Sequence, residues 1–215
     1  MSRCSVDDPY VDPASGVLKN RLGITGAATL EETEAALVAT RSYELSGTPL
    51  KGAFDLAHLQ AIHRYLFRDL YEWAGELRTI DIAKGGHRFG HHAHIAGAAT
   101  ELLRKLAAER HLAGLAPAAF SQRAAFYLGE INALHPFREG NGRAQREFMS
   151  HLAHANGYYI AWENVKPADL LQASIDSFTG DITKLTALIR DNLCPLDRDP
   201  ASLPRGRKRA SAPEL

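Results

Sequence analysis

The stretch His135-Pro-Phe-Arg-Glu-Gly-Asn-Gly-Arg-Ala-Gln-Arg146 determines how the rest of this 215-residue chain is interpreted. Within it, Gly140 and Gly142 flank Asn141 where a helix is expected to begin, and the first backbone N–H groups of a helix have no partner inside it. Glycine lets such amides approach an anion closely, and the helix dipole adds positive charge. The spacing therefore predicts a phosphate-binding nest at the start of a helix.

Charged side chains surround this predicted nest. Arg143 and Arg146 are three residues apart, so we expect both on one face of the first helical turns, where each guanidinium can hold two phosphate oxygens. Glu139 offers carboxylate oxygens, the ligands that Mg²⁺ prefers. His135 can accept a proton near neutral pH. Each feature alone is common in structural turns, but together they indicate phosphoryl or nucleotidyl transfer to a hydroxyl.

Periodicity outward from this stretch predicts a mostly α fold with one small β-hairpin. Thr79, Ile80 and Ile82 favour β-structure, and the pair Gly85-Gly86 is typical of a hairpin turn. Asp55 is expected to begin a helix whose apolar stripe runs to Leu70. The other predicted helices cover about 30–45, opened by a capping box from Thr29 to Glu32, then 97–113, 117–134, 140–156, 167–178 and 181–193.

The chain is predicted to contain one domain. Residues 1–28 form an N-terminal loop segment, residues 29–193 form the domain, and residues 194–215 form a disordered tail rich in proline, alanine and arginine. The tail carries Arg205-Gly-Arg-Lys-Arg209, which favours a solvated basic segment over a contact with nucleic acid.

Composition excludes several classes of protein. The 25 basic and 25 acidic residues cancel, so no overall field attracts nucleic acid or an anionic membrane. Two cysteines are too few for a disulfide framework, and no run approaches the roughly 18 apolar residues of a membrane span. Asp7 and Asp8 stand where a signal peptide would need its apolar stretch. We therefore expect a soluble, cytoplasmic protein without membrane contact.

The string HPFREGNGRAQR matches every fixed position of the signature HPFx[D/E]GNGRxxR, and the chain therefore resembles Fic-domain proteins. Residues 18–23, residues 71–78 and the predicted hairpin are similar to further segments of the Fic core, and the resemblance covers about residues 10–193. It implies a Fic-type helical core that transfers AMP from ATP to a Ser, Thr or Tyr hydroxyl of a target protein and releases pyrophosphate.

The resemblance also implies a role for each residue of the motif. His135 is the base that deprotonates the target hydroxyl, and Glu139 holds the Mg²⁺ ion between the α- and β-phosphates. Arg143 binds the β-phosphate and Arg146 the γ-phosphate. The anion hole consists of Gly140, Asn141 and Gly142, and the Asn141 side chain also reaches the α-phosphate.

The hairpin resembles the flap that binds the target segment by main-chain pairing. Residues implied to dock the target are Ile80, Asp81, Ile82 and Phe89. Residues implied to line the nucleotide pocket are Lys84 and Gly85 in the flap and Asn132 just before the motif.

Many Fic proteins are silenced by a helix with the pattern [S/T]xxxE[G/N], whose glutamate pairs with the second motif arginine. The segment from Thr40 to Glu44 has only the first part of this pattern, because Leu45 follows it. We therefore expect a separate small antitoxin that supplies the helix, as in the toxin–antitoxin class of the family.

Two other functions compete with AMP transfer. A Fic fold can transfer another group, such as phosphate, UMP or phosphocholine; phosphorylating relatives replace the second glycine of GNGR with lysine, so Gly142 favours AMP. A non-enzymatic module could use the nest to sense nucleotide, but sensing needs no base, and His135 is present.

Overall fold

The computed structural model describes residues 8–196, and this part of the chain contains seven α-helices and two antiparallel pairs of short strands. The helices are α1 Ala27–Gly47, α2 Leu56–Phe67, α3 Ile95–Ala108, α4 Pro117–Leu134, α5 Asn141–Ala155, α6 Pro167–Ser177 and α7 Thr183–Asp191. The strands are β1 Ala83–Lys84, β2 His87–Arg88, β3 Tyr158–Ile160 and β4 Leu193–Pro195. The prediction of a mostly α fold with a small hairpin is confirmed. Within residues 8–196, none of the helices has the length and apolar character needed to cross a bilayer.

Helix α4 lies at the centre of the fold and packs against α3, α5, α6 and α7. Its predicted apolar face is buried, since Phe120, Ala124, Tyr127 and Ile131 are at most 1% exposed. Burying each of the larger side chains contributes about 1.5–3 kcal/mol. Helix α5 packs against both α2 and α4. This packing fixes the start of α5 relative to the end of α4, and residues 135–140 connect the two.

Several helix ends follow the sequence signals. Asp55 caps α2, where its carboxylate accepts the N–H of His58 at 2.8 Å, and Gly157 follows α5 with a φ of +76°. The predicted capping box at Thr29 is wrong, because α1 begins at Ala27 after an extended Gly26 that makes no side-chain cap. The helix thus also crosses the predicted boundary between residues 28 and 29.

The second pair of strands was not predicted. Tyr159 in β3 pairs with Cys194 in β4, and the boundary expected between residues 193 and 194 falls inside β4. Each of the two strands has three residues, and α6 and α7 lie between the strands along the chain. No local hairpin pattern therefore predicts the pairing. The rest of the predicted tail, residues 197–215, lies outside the described residues.

The predicted hairpin is present between α2 and α3. Ala83 pairs with Arg88 and Lys84 with His87. Gly85 and Gly86 form the turn with φ values of +59° and +84°, a conformation that a two-residue hairpin loop requires and that glycine adopts at no steric cost. We call residues 80–89 the flap.

Candidate active site

His135 ends α4 in the left-handed conformation, with φ +48° and ψ +63°. Its Nδ1 lies 3.2 Å from the carbonyl oxygen of Asn132, and because a carbonyl can only accept, Nδ1 carries the ring hydrogen. Phe89 of the flap stacks on the imidazole with 3.8 Å between ring centroids. Burial lowers the pKa of His135 to about 4. The ring is therefore neutral at pH 7, and its Nε2 holds a lone pair that can accept a proton.

The loop after His135 is built around Gly140 and Asn141. Gly140 has a φ of +80°, and a Cβ there would lie 2.3 Å from Cζ of Phe67. The Asn141 amide bonds the backbone of Phe137 twice: Oδ1 accepts the N–H at 2.9 Å and Nδ2 donates to the carbonyl at 2.7 Å. The side chain that was expected to reach a phosphate thus closes the loop and orients the first turn of α5.

A cavity of about 580 Å³ opens beside this turn, within the size range of ligand pockets. Among the predicted site residues, those that line it are His135, Glu139, Asn141, Gly142, Arg146, Asn132, Lys84, Gly85 and Phe89. The structure therefore brings the base, one arginine of the motif and the flap together around one space. Gly140 does not line the cavity and is buried against Phe67.

The opposite wall of the cavity is apolar. It is supplied by α6, the residues around it and one residue of α4, with Leu128, Pro167, Leu170, Leu171, Ile175 and Phe178 as its members. No sequence prediction assigned these residues to the site, because each fits an amphipathic helix equally well. The cavity thus has a charged end at the motif and an apolar end at α6.

The two arginines of the motif differ in their surroundings. Arg146 lines the cavity and makes no ion pair within residues 8–196; burial lowers its pKa, which remains far above neutrality. Arg143 instead bonds Glu34 of α1 at 2.5 Å and does not line the cavity. In this structure the buried carboxylate of Glu34 engages Arg143, and the contact with the β-phosphate that the resemblance implies for Arg143 stays a prediction.

Glu139 lies at the mouth of the cavity with 45% of its side chain exposed. Its Oε1 accepts the N–H of Gly140 at 3.0 Å and lies 3.6 Å from Nη2 of Arg143. Within residues 8–196, its Oε2 makes no hydrogen bond. This partly free carboxylate suits a hard cation, and Mg²⁺ commonly uses one protein carboxylate beside phosphate oxygens.

The flap residue Asp81 is held within its own loop. Its Oδ1 accepts the backbone N–H of His92 at 2.8 Å, and its Oδ2 lies 3.4 Å from Nε2 of His91. Hydrogen bonds from the backbone N–H and the imidazole of His92 lower the pKa of Asp81 to about 2. Ile80 and Ile82 precede β1 and are partly exposed, so the leg of the flap that was expected to meet a target lies at the surface.

Arg78 is a positioning residue that the sequence did not reveal. Its guanidinium is buried and bonds four carbonyl oxygens: those of Ile80, Gly90, Leu134 and His135. Ile80 begins the flap and Gly90 directly follows it, whereas Leu134 ends α4 and His135 begins the motif. One side chain thus connects both ends of the flap to the backbone at His135. The only local signal is an arginine at the end of a segment already similar to the Fic core.

His63 of α2 contacts the motif through its backbone and through the ring of Phe137. Its Nδ1 accepts the N–H of Gly75 at 2.8 Å, and its Nε2 donates to the carbonyl of Glu139 at 2.9 Å. The ring stacks on Phe137 with 3.9 Å between centroids. Burial lowers the pKa of His63 to about 3. From sequence alone, this residue is one more histidine on an amphipathic helix.

The amino-acid sequence matches known proteins over most of its length. A family model described as the Fic/DOC family matches residues 53–153. The protein adenylyltransferase VbhT of Bartonella schoenbuchensis is 49% identical over 187 residues, which is 87% of this chain but 39% of VbhT. A probable protein adenylyltransferase Fic of Salmonella typhimurium is 40% identical over 183 residues, covering 85% of this chain and 90% of that protein.

Solved structures show the same fold. The N-terminal Fic domain of a VirB-translocated effector from Bartonella quintana, solved with bound ADP, has a TM-score of 0.84 and 30% identity, covering 87% of this chain and 95% of that one. BepC from Bartonella tribocorum, solved with bound AMPPNP, has a TM-score of 0.82 and 27% identity, covering 86% and 96%.

Proposed function

The chain belongs to the Fic/DOC family, and on that premise we propose that it is a protein adenylyltransferase. It transfers AMP from ATP to a Ser, Thr or Tyr hydroxyl of a target protein and releases pyrophosphate. One observation carries the proposal: a single cavity is lined by a neutral imidazole, His135, by the guanidinium of Arg146, which has no ion pair within the described residues, and by the first turn of α5. The name of VbhT states that it is a protein adenylyltransferase, and the name of the Salmonella protein gives the same activity as probable.

In the proposed reaction, Nε2 of His135 takes the proton of the target hydroxyl. The hydroxyl oxygen then bonds the α-phosphorus, and the bond from that phosphorus to the oxygen bridging to the β-phosphate breaks. The electron pair leaves with pyrophosphate. A bound triphosphate adds negative charge beside the imidazole and raises its pKa from about 4 towards neutrality. The base therefore gains strength when ATP is in place.

In this proposal, the start of α5 binds the phosphates of ATP. The amides of Asn141 and Gly142 lie at the positive end of the helix dipole. Arg146 has no carboxylate to neutralise it within the described residues, so its charge is available to the γ-phosphate. Such preformed positive groups around a leaving pyrophosphate stabilise the charge that develops in the transition state.

The apolar end of the cavity suits the adenine ring. Leu170, Ile175 and Phe178 provide a surface for a flat aromatic base, and Asn132 and Lys84 add polar groups beside it. Two similar domains were solved with ADP and with AMPPNP, and this chain has the same fold.

Glu139 is the residue that would hold Mg²⁺ in this chain. When bound, the ion supplies positive charge to the phosphates of ATP. The carboxylate fits this role because it is partly exposed at the cavity mouth and keeps one oxygen without a hydrogen bond within residues 8–196.

The flap is the proposed docking site for the target. An extended target segment would pair with the main chain next to β1, where Ile80, Asp81 and Ile82 lie at the surface and Phe89 covers the base. We place this reaction in the bacterial cytoplasm.

A small antitoxin is the proposed regulator. In this chain Glu44 already bonds Arg41 and Tyr65, so the incomplete pattern around it serves packing. An inhibitory glutamate from a second chain would pair with the free Arg146. Purification of this chain alone should then give an active enzyme, whereas a stable ATP-bound but inactive protein would contradict the proposal.

The test of the reaction is transfer of label from ATP in a bacterial lysate with Mg²⁺. With α-labelled ATP, the wild type should label a protein band that His135→Ala does not label. His154→Ala is the matched control, because His154 is an exposed histidine of α5 far along the helix from the cavity. Label that arrives only from the γ position would indicate phosphorylation instead, and no transfer from either position would indicate a nucleotide sensor.

A further inference from the structure

One buried carboxylate outside the motif contacts it directly. Glu34 lies in the second turn of α1 and is 9% exposed, although acidic side chains are seldom buried without a partner. Its Oε1 lies 2.5 Å from Nη2 of Arg143, and its Oε2 accepts the hydroxyl hydrogen of Tyr71. Both carboxylate oxygens are therefore engaged, one of them by an arginine of the motif.

Arg143 lies between two carboxylates. The same Nη2 that bonds Glu34 is 3.6 Å from Oε1 of Glu139, which is too long for a hydrogen bond. The guanidinium also lies over the ring of Phe67, with its carbon 4.8 Å from the centroid. Arg143 is thus hydrogen-bonded to Glu34 and makes only a longer ion pair with Oε1 of Glu139, whose Oε2 has no hydrogen bond within residues 8–196.

The position of Arg143 between the two carboxylates affects whether Glu139 can bind a cation. A guanidinium released from Glu34 could turn its fork towards Glu139 and bind both of its oxygens. A divalent cation needs those same oxygens. Pairing with Arg143 and binding of a cation therefore compete for one carboxylate, and the contact with Glu34 acts against the pairing.

We propose that Glu34 is a positioning residue: by holding Arg143 against α1, it keeps the Glu139 carboxylate free for the divalent cation that accompanies ATP. The inference rests on the proposed function for the identity of that ligand. A purely structural role for Glu34 makes a different prediction, since loss of the ion pair would then lower stability and leave the dependence on Mg²⁺ unchanged.

The test is binding of AMPPNP, measured by calorimetry at increasing Mg²⁺ concentration, which requires no turnover. Glu34→Gln keeps the side-chain volume and an oxygen for Tyr71 but removes the charge. Its half-saturating Mg²⁺ concentration should rise roughly threefold to tenfold, the range expected for a partly exposed ion pair, while affinity for AMPPNP without Mg²⁺ does not fall. Glu31→Gln is the matched control, because Glu31 is exposed on the same helix and should titrate like the wild type.

A second variant distinguishes competition for Glu139 from misfolding of the Glu34→Gln protein. Arg143→Gln removes the competing guanidinium, so in that background Glu34→Gln should cause no further rise in the half-saturating Mg²⁺ concentration. A further rise when Glu34→Gln is added to Arg143→Gln, or a Glu34→Gln titration that superimposes on the wild type, overturns the inference. A wild-type chain that fails to bind AMPPNP at any Mg²⁺ concentration overturns the proposed function as well.

Discussion

The two glycines of the motif should respond in opposite ways to the same added methyl group. At Gly140, alanine meets a φ of +80° and a Cβ position 2.3 Å from the buried ring of Phe67. The left-handed backbone costs about 1–2 kcal/mol, and forcing atoms into a packed core costs about 1–3 kcal/mol more. Gly140→Ala should therefore lose roughly 2–5 kcal/mol of stability.

Gly142 is helical, and a Cβ there would meet only Nη1 of Arg146, at 3.5 Å. Replacing glycine by alanine in a helix gains up to about 0.5–1 kcal/mol. The methyl group would however lie beside the Arg146 guanidinium in the cavity, where phosphate is expected to bind. Gly142→Ala should therefore be slightly more stable than the wild type and bind AMPPNP at least ~10-fold more weakly, a loss of about 1.4 kcal/mol.

Thermal unfolding and calorimetric binding of AMPPNP measure both effects. At about 2–4 °C per kcal/mol for a domain of this size, Gly140→Ala should lower the Tm by roughly 5–15 °C and Gly142→Ala should raise it by about 1–3 °C. Gly97→Ala is the control, because Gly97 lies in α3 with nothing within 4 Å of a Cβ, and it should gain stability without losing binding. A Gly142→Ala protein that binds AMPPNP like the wild type, or unfolds as early as Gly140→Ala, would refute this reasoning.

Three further outcomes are expected. Burial lowers the pKa values of His63 and His135 to about 3 and about 4, so the unfolded chain takes up these protons first. The two groups together should remove about 2.4 kcal/mol of stability per pH unit as pH falls from 6 to 4.5. Urea titrations across that range should show a slope smaller by about half this amount in His63→Gln, and an equal slope would contradict the assignment. Arg78→Met should cost more than 3 kcal/mol, because it leaves buried carbonyls without donors, and hydrogen exchange should then accelerate in the flap; unchanged exchange there would argue against its bridging role. Asn141→Ala should lose about 2–4 kcal/mol in chemical unfolding, since the N–H and carbonyl of Phe137 lose their partners, and a loss below 1 kcal/mol would exclude that role.

Local signals predicted much of the fold because they act within a few residues. Pro117 and Asp55 begin helices as expected, and Gly85-Gly86 forms the predicted turn. The capping box at Thr29 failed because a helix can begin one turn earlier without a side-chain cap. The pairing of Tyr159 with Cys194 was invisible because it joins segments far apart in sequence.

The site was predictable where its residues lie close together in sequence. Sequence placed His135, Glu139 and Arg146 together because one short motif contains them, and they line one cavity. It could not show that Glu34 engages Arg143, because that contact depends on tertiary packing, in which α1 and α5 both pack against α2. Long-range supports such as Arg78 remain hidden for the same reason: an isolated arginine has no pattern until tertiary packing gives it partners.

The hydrogen bonds of the Arg78 guanidinium couple the position of the flap to that of His135. Because it bonds the carbonyl oxygens of Ile80 and Gly90, at the two ends of the flap, and that of His135 at once, a tilt of the hairpin would also displace the backbone of His135. If the flap docks the target and His135 is the base, as proposed, a misplaced target segment would shift the atom that takes the proton. Selectivity among targets would then arise in the rate of the chemical step, so that a poorly placed polypeptide would bind tightly and still be modified slowly.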